Sequence, residues 1–202
     1  MINILVLLPK EFNCYSKLER KLDKIFSSFN EFSLISNDNF NDLLEKYKNH
    51  NKNCQQVFYF EDWQTKEFTH AVVFKDQEIF NEEQEYIKSL KIPVRVISIK
   101  ITRVINIDID IQYKSIKKND VYEYIGRGSN WGNPYSMTTH TDDDRKSVIN
   151  SFKYDFERDL LLKARKNDIY KLAGKRLGCF CKPFPCHGDI LADYLNSWDD
   201  GE

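Results

Sequence analysis

The sequence predicts an α/β protein in which a parallel-sheet domain at residues 1–100 precedes a smaller α+β module at residues 101–202. Through the first hundred residues, short apolar runs alternate with segments whose apolar residues recur at helical spacing. That alternation is typical of a Rossmann-like parallel sheet covered by helices on both faces. All seven glycines follow residue 125. Tight turns, and any loop whose backbone approaches a phosphate, are therefore expected in the second part.

The elements of the first domain follow from hydrophobic periodicity. Residues 2–8 are an apolar run typical of a buried strand, and residues 15–29 carry apolar side chains on one helical face. Asn39 is placed to cap a second helix. The complete prediction is strands at 2–8, 32–36, 56–60, 69–74 and 93–99, with helices at 15–29, 39–48 and 81–90.

The second module contains shorter elements. Alternation over residues 101–111 predicts one or two strands with Asn106, Asp108 and Asp110 on a shared polar face. Thr141, followed by three aspartates, indicates a helix start. The other predicted elements are strands at 122–125 and 177–181, and helices at 141–166, at 169–172 and from near residue 186 onwards.

Charge and composition restrict the partners. Of 30 basic and 31 acidic residues, 14 basic and 15 acidic ones lie in the first hundred. Neither domain has a net basic field, so nucleic-acid binding by counterion release is disfavoured. The apolar start of the chain ends at Pro9, well short of a membrane span, so no membrane partner is expected. Five cysteines without an export signal favour the reducing cytoplasm.

A glycine-rich loop at residues 124–135 is the first candidate site. Glycine lets backbone N–H groups approach an anion, arginine offers a planar fork to phosphate, and tryptophan offers a stacking face. A nucleotide-sized ligand would use all of these groups. The alternative is a tight turn whose tryptophan anchors the loop in the core. The candidate ligand-binding residues are Gly126, Arg127, Gly128, Ser129, Trp131 and Asn133.

A cysteine–histidine block before the last predicted helix is the second candidate site. Cys179, Cys181, Cys186 and His187 supply three thiols and an imidazole, a complete tetrahedral zinc set by residue type. In a catalytic interpretation, Cys186 at a helix N-terminus is the nucleophile, His187 the acid or base, and Asp189 the orienting carboxylate. In a structural interpretation, the cysteines are buried beside a capping turn. The residue pattern leaves all three open.

Both blocks resemble one known family, catalogued as domain of unknown function 4326. The family pattern appears as Gly-Arg-Gly at 126–128, Trp-Gly-Asn-Pro at 131–134, Gly-Lys-Arg-Leu at 174–177 and Cys-x-Cys-x-Pro-x-x-Cys-His-Gly-Asp at 179–189. Order and spacing agree over about residues 102–195. The resemblance implies that loop and block belong to one module and meet around one pocket. It also implies a source among bacteria and their viruses.

The first domain resembles, more weakly, nucleotide-binding Rossmannoids of the SLOG type. The similarity lies in a strand, the pair Asp62-Trp63, a second strand, a helix and a last strand that begins at Pro93. The sequence lacks the glycine-rich nucleotide signature of that superfamily, because the first 125 residues contain no glycine. The resemblance therefore implies the fold and leaves ligand binding to the second module.

These features favour a nucleotide- or nucleoside-processing enzyme, a hydrolase or transferase, with its site in the second module. Group transfer or N-glycosidic cleavage would use a stacking face, an anion site and an acid/base pair. One alternative is a non-catalytic nucleotide-binding sensor or sequestering protein, assembled as a homo-oligomer through the first sheet. Another is a zinc-stabilised scaffold that contacts nucleic acid. The expected ligand is a nucleotide-like small molecule, and zinc is the metal that the donor set favours.

Overall fold

The computed structural model describes residues 2–202, which form two units. The first unit extends to Lys100 and also includes Ser197–Glu202, whereas the second is Ile101–Asn196. The sequence prediction also divides the chain after residue 100. It assigns residues 197–202 to the second module, whereas the structure groups them with the first unit. Within residues 2–202, no helix combines the length and the apolarity needed to cross a bilayer.

Five parallel strands form the sheet of the first unit, in the order β3-β2-β1-β4-β5. Parallel strands joined by helical crossovers confirm the predicted Rossmann-like class. The strands are β1 (Ile2–Leu7), β2 (Phe32–Ser36), β3 (Cys54–Tyr59), β4 (His70–Lys75) and β5 (Val94–Ser98). The helices are α1 (Tyr15–Phe26), α2 (Leu43–His50) and α3 (Asn81–Ser89).

The core of the first unit follows from the position of its strands. β1 and β4 are central, so both of their faces are covered and their sequences are almost continuously apolar. Buried strand residues pack with Trp63 and with Ile87 of α3. The best-buried members of this cluster are Leu5, Leu7, Ala71, Val73 and Ile87.

The C-terminal segment joins the first unit through charged groups. Nζ of Lys17, on α1, lies 2.6 Å from Oδ1 of Asp200; the Lys17 side chain is buried and that of Asp200 is 10% exposed. Arg20, also on α1, donates two hydrogen bonds to Asp199 at 2.7 and 3.0 Å. These ion pairs explain why residues 197–202 belong with the first unit and not with the module that precedes them in sequence.

The second helix starts later than predicted. Asn41 and Asp42 have φ values of 57° and 50°, which interrupt the helix that the sequence placed at 39–48. The predicted cap at Asn39 is therefore wrong, and its amide instead donates to the carboxylate of Asp42 at 2.8 Å. Regular α-helix begins at Leu43.

Three parallel strands form the sheet of the second unit, in the order β6-β8-β7. The strands are β6 (Arg103–Asn106), β7 (Tyr122–Tyr124) and β8 (Arg176–Cys179). The helices are α4 (Asp142–Glu157) and α5 (His187–Asn196), with 3-10 turns at Ile111–Tyr113 and Lys166–Leu172. Because all three strands run in one direction, their carboxyl ends share one edge of the sheet.

Two elements of this module differ from the prediction. The strand expected over residues 101–111 ends at Asn106, whose side-chain oxygen accepts the N–H of Asp108 at 2.9 Å and starts a turn. Asp108 and Asp110 therefore do not share a strand face with Asn106. Helix α4 ends at Glu157 and not near residue 166, because Asp159 has a φ of 56°.

Candidate functional site

Both sequence motifs begin at the carboxyl edge of the three-stranded sheet. The glycine-rich loop follows β7, and the Cys/His block starts on β8 and reaches the beginning of α5. β7 and β8 are neighbouring parallel strands, so the two segments leave the sheet side by side. A hydrogen bond of 2.9 Å between Nε2 of His187 and the carbonyl oxygen of Ile125 connects the two segments. The two blocks meet, as the resemblance implied.

Packing accounts for two glycines of the loop. A Cβ on Gly132 would lie 2.6 Å from the carbonyl oxygen of Gly126, and a Cβ on Gly126 would lie 2.2 Å from the hydroxyl of Tyr124. Gly128 differs, because it has a φ of +93° with open space around it. Of these three glycines, Gly128 alone has open space where a Cβ would lie.

Trp131 does not offer a stacking face. Its side chain is 6% exposed and packs in the core of the second unit with residues such as Phe152 and Leu172. The predicted ligand-stacking role is contradicted, and the alternative of a core anchor is correct. The physical reason is that burying a large indole surface stabilises the fold of an otherwise irregular loop.

Asn133 and Ser129 have different surroundings. The Asn133 amide donates to the carbonyl of Val148 at 3.0 Å, and its oxygen accepts the N–H of Tyr135 at 3.0 Å. Asn133 therefore fastens the loop to α4, although it also lines a cavity. The hydroxyl of Ser129 is buried without a hydrogen-bond partner among residues 2–202.

Arg127 is the exposed cation of the loop. Its side chain lines two neighbouring cavities. Within the described chain it forms no ion pair or hydrogen bond through its guanidinium. An unpaired guanidinium presents its planar set of donors to solvent and to an incoming anion.

Three thiols and one imidazole converge after β8. Sγ of Cys179 lies 3.5 Å from Sγ of Cys181, and Sγ of Cys186 lies 3.5 Å from Nδ1 of His187. The ligand atoms of Cys179, Cys186 and His187 all lie within 4.8 Å of one another. Cys181, which lies just beyond the strand, is the least buried of the four.

The imidazole of His187 has a fixed orientation. A carbonyl oxygen only accepts hydrogen bonds, so the contact with Ile125 places the proton on Nε2 and leaves the lone pair on Nδ1. Nδ1 faces Sγ of Cys186. Burial lowers the pKa of His187, because the charged imidazolium is poorly solvated at 5% exposure.

The surroundings of the three thiols bear on the predicted nucleophile. Hydrogen bonding to Cys179 and Cys181, together with burial, raises the pKa of Cys186. The thiol hydrogen bonds from Cys179 and Cys186 instead lower the pKa of Cys181. Cys186 is 1% exposed. Burial among two other thiols opposes the activation that the helix N-terminus would give Cys186, and its role as a nucleophile stays a prediction.

Asp189 caps the helix and does not contact the imidazole. Its Oδ2 accepts the backbone N–H of Cys186 at 2.8 Å, and its Oδ1 pairs with Nζ of Lys182 at 2.6 Å. The Ile125 carbonyl orients His187 in its place. The predicted orienting carboxylate is therefore wrong, because an acid at the third helical position reaches back to the free N–H groups of the first turn.

A cavity of about 180 Å³ brings the two motifs together. Its lining contains Arg127 of the loop and the thiols and imidazole of the Cys/His block. Arg145 and Phe180 also line it, although no sequence pattern singled them out. Arg145 lies in the first turn of α4, close in sequence to the loop, and stacks over Phe184 at 5.1 Å. The position of Arg145 in the first turn of α4, shortly after the glycine-rich loop, is the sequence feature that could have identified it as a cavity residue.

A second cavity, of about 270 Å³, shares Arg127 with the first. Gly128, Ser129, Leu161 and Lys163 lie along it. Four predicted ligand-binding residues, Gly126, Arg127, Gly128 and Ser129, therefore do line cavities, and Asn133 lines both.

The remaining candidates are structural. Asp144 accepts N–H groups from Thr138 and Thr139 at 2.6 and 2.7 Å and caps α4 with Thr141. Asp144 is therefore a helix-capping residue. Cys14 and Cys54 are buried.

Each half of the chain matches the model of a known family. Residues 1–105 match the family model described as minimal SLOG domain. The chain belongs to that family. Residues 109–197 match the model described as Domain of unknown function (DUF4326). Both resemblances seen in the sequence are confirmed, and the minimal SLOG domain is a Rossmann-like, nucleotide-related fold.

One curated relative comes from a bacterial virus. The chain is 41% identical over 80 residues to the "Uncharacterized 12.4 kDa protein in nrdA-td intergenic region" of Enterobacteria phage T4. The match covers 39% of this chain and 71% of the phage protein. No solved structure matches the chain.

Proposed function

We propose that the second unit of this minimal SLOG protein is a nucleotide- or nucleoside-processing enzyme, a hydrolase or transferase that acts by group transfer or N-glycosidic cleavage. One observation carries the proposal. A single cavity is lined by the Cys/His block and by Arg127 and Arg145, two guanidinium groups that have no carboxylate partner among residues 2–202. Such a cavity combines an anion site with groups that can bind metal or transfer protons.

The position of the cavity agrees with a ligand site in an α/β fold. Ligands of parallel sheets bind outside the carboxyl ends of the strands, where the connecting loops diverge. Both motifs leave β7 and β8 at that edge. The loop and the block therefore supply side chains to one ligand from two neighbouring strands.

Arg127 is the proposed phosphate fork. It lies between the two cavities, with Arg145 in the first and Lys163 in the second. The first cavity alone is smaller than usual for a small-molecule site, whereas the two together fall within the common range of about 300–1,000 Å³. A nucleotide whose phosphate pairs with Arg127 could extend into both.

Apolar side chains replace Trp131 as the surface for a base. Met137, Val148, Ile149 and Phe180 line the first cavity, and Phe180 is 53% exposed. An aromatic face in this position stacks on a nucleobase without selecting among bases. We expect the base to lie against Phe180, with the Cys/His block beneath the bond that reacts.

The test is a panel of nucleotides, nucleosides and dinucleotides incubated with the full chain and examined for products by chromatography. Arg127→Gln should raise KM at least tenfold, because the phosphate loses a bidentate partner. Arg158→Gln is the matched control, since Arg158 stacks over Tyr154 outside both cavities. Turnover that is equally affected in both variants would contradict the proposal.

Two other outcomes would favour the alternatives. Tight nucleotide binding without product would favour the non-catalytic sensor or sequestering protein. Salt-dependent binding to oligonucleotides without nucleotide binding would favour the zinc-stabilised scaffold. Assembly as a homo-oligomer through the first sheet stays a prediction. We place the activity in the cytoplasm of a bacterium or a phage-infected cell, where the five thiols remain reduced.

A further inference from the structure

We propose that Cys179, Cys186 and His187 bind one zinc ion whose fourth position faces the cavity. The binding of the metal does not depend on the proposed activity, because it can be measured without substrate. Thiolate and imidazole are the ligands that zinc prefers, and three protein ligands with one open position distinguish a catalytic zinc site from a closed structural one.

The distances fit a tetrahedral ion. Zinc bonds of about 2.3 Å to sulfur and about 2.0 Å to nitrogen place the two ligand atoms roughly 3.5 Å apart at the tetrahedral angle. Sγ of Cys186 and Nδ1 of His187 are separated by 3.5 Å. The ligand atoms of these residues and of Cys179 lie within 4.8 Å of one another, so small rotations of the side chains bring all three to one ion.

The surroundings of the ligands also match a metal site. A histidine that binds metal through one nitrogen usually donates its other N–H to a carbonyl or carboxylate. His187 donates from Nε2 to Ile125, which leaves Nδ1 directed at Cys186. The backbone N–H of Gly188 donates to Sγ of Cys186 at 3.4 Å. That bond stabilises negative charge on a coordinating sulfur.

Cys181 lies at the open side of the cluster. Its sulfur contacts Cys179 and also hydrogen-bonds with the thiol of Cys186, but it is not one of the three ligand atoms that all lie within 4.8 Å of one another. It lines the cavity, and it is less buried than the other three residues. A fourth ligand is therefore not enforced at this position, and water or a substrate oxygen can reach the ion. The link between the open position and turnover rests on the proposed function.

The main experiment is metal analysis of the full chain, purified without a histidine tag and reconstituted with zinc after treatment with a chelator. Wild type should hold one zinc ion per chain. Cys179→Ser and Cys186→Ser should lose it, whereas Cys181→Ser should keep it. Cys54→Ser, a buried cysteine of the first unit, is the matched control. No zinc in reconstituted wild type, or loss of zinc from Cys181→Ser, would overturn the inference.

A measurement on wild type covers the case in which the serine variants fail to fold. Mass-spectrometric mapping of alkylated cysteines compares the zinc-loaded and the chelated chain. Cys181 should stay open to alkylation in both forms, because it is not a ligand, whereas zinc should protect Cys179 and Cys186. Strong protection of Cys181 by zinc would show a closed four-ligand site and contradict the open position. Bound zinc without nucleotide turnover would leave this inference standing and remove the proposed function alone.

Discussion

His187 and Ile125 are 62 positions apart in sequence and are joined by a hydrogen bond of 2.9 Å from Nε2 to the carbonyl oxygen. Both residues are buried. The bond links the start of α5 to the loop after β7, and it fixes which nitrogen of the imidazole faces Cys186. This contact therefore joins the loop to the start of α5 and orients the histidine.

Replacing His187 by alanine should destabilise the second unit by about 1–3 kcal/mol, because the buried carbonyl of Ile125 loses its donor. The measurement is urea unfolding in the presence of a chelator, so that the loss of a metal does not contribute. His140→Ala is the control, since His140 is exposed. An equal free energy of unfolding for the two variants would show that the bond is not important for the fold.

Gly132→Ala should destabilise the second unit by about 1–3 kcal/mol, because the new Cβ would lie 2.6 Å from a backbone oxygen that cannot move away. Hydrogen exchange measured by mass spectrometry should show faster exchange around Trp131, because the displaced loop carries this residue with it. Gly128→Asn is the control, because asparagine tolerates a positive φ and Gly128 has open space around it. Comparable losses in both variants would contradict the packing role of Gly132.

The N-terminus of α4 should lose stability in acid. Backbone N–H groups, first that of Thr139, hold the pKa of Asp144 below its ordinary value. A carboxyl group with a lowered folded pKa stabilises the fold above its unfolded pKa, near 3.9, and this contribution is lost as the pH falls through the folded value. Wild type should therefore show a steeper acid-dependent decrease than Asp144→Asn, whose remaining decrease comes from other carboxylates with a lowered pKa, such as Asp199.

The control for Asp144 is its neighbour. Asp143→Asn removes a carboxylate whose side chain is 96% exposed, so it should leave the pH dependence of wild type almost unchanged. Unfolding midpoints in urea, measured at a series of pH values from neutral down to about pH 3, compare the three proteins. The same slope for wild type and Asp144→Asn would assign the acid sensitivity to other groups.

The sequence predicted those strands and helices that are marked by a pattern of neighbouring residues. Apolar runs located the strands of both sheets, and Thr141 located the start of α4. The resemblance, and not the periodicity, indicated that loop and block meet, since their contact through Ile125 and His187 is a tertiary one. Trp131 illustrates the difference, because an indole in a glycine-rich loop has the same sequence pattern whether it stacks on a ligand or packs in a core.

Other features depend on contacts that no local pattern contains. Asp189 was expected beside the imidazole, but the free N–H groups of the first turn of α5 compete for it. Cys181 and Cys186 have the same side chain, but the fold buries Cys186 at the start of α5 and leaves Cys181 partly exposed at the cavity. The return of residues 197–202 to the first unit rests on ion pairs across more than 170 positions.

The two ion pairs of the C-terminal segment should differ strongly in their effect on the first unit. Lys17 is 4% exposed, so Asp200→Ala leaves a buried ammonium group without its partner and should cost about 3–5 kcal/mol. Arg20 is partly exposed, so Asp199→Ala should cost only about 0–1 kcal/mol. Hydrogen exchange of α1, measured by mass spectrometry, reports this unit by itself. Lys17→Met combined with Asp200→Leu removes both charges and should recover most of the loss. If the double variant were as unstable as Asp200→Ala, the cause would be the loss of the segment's packing and not an unpaired charge.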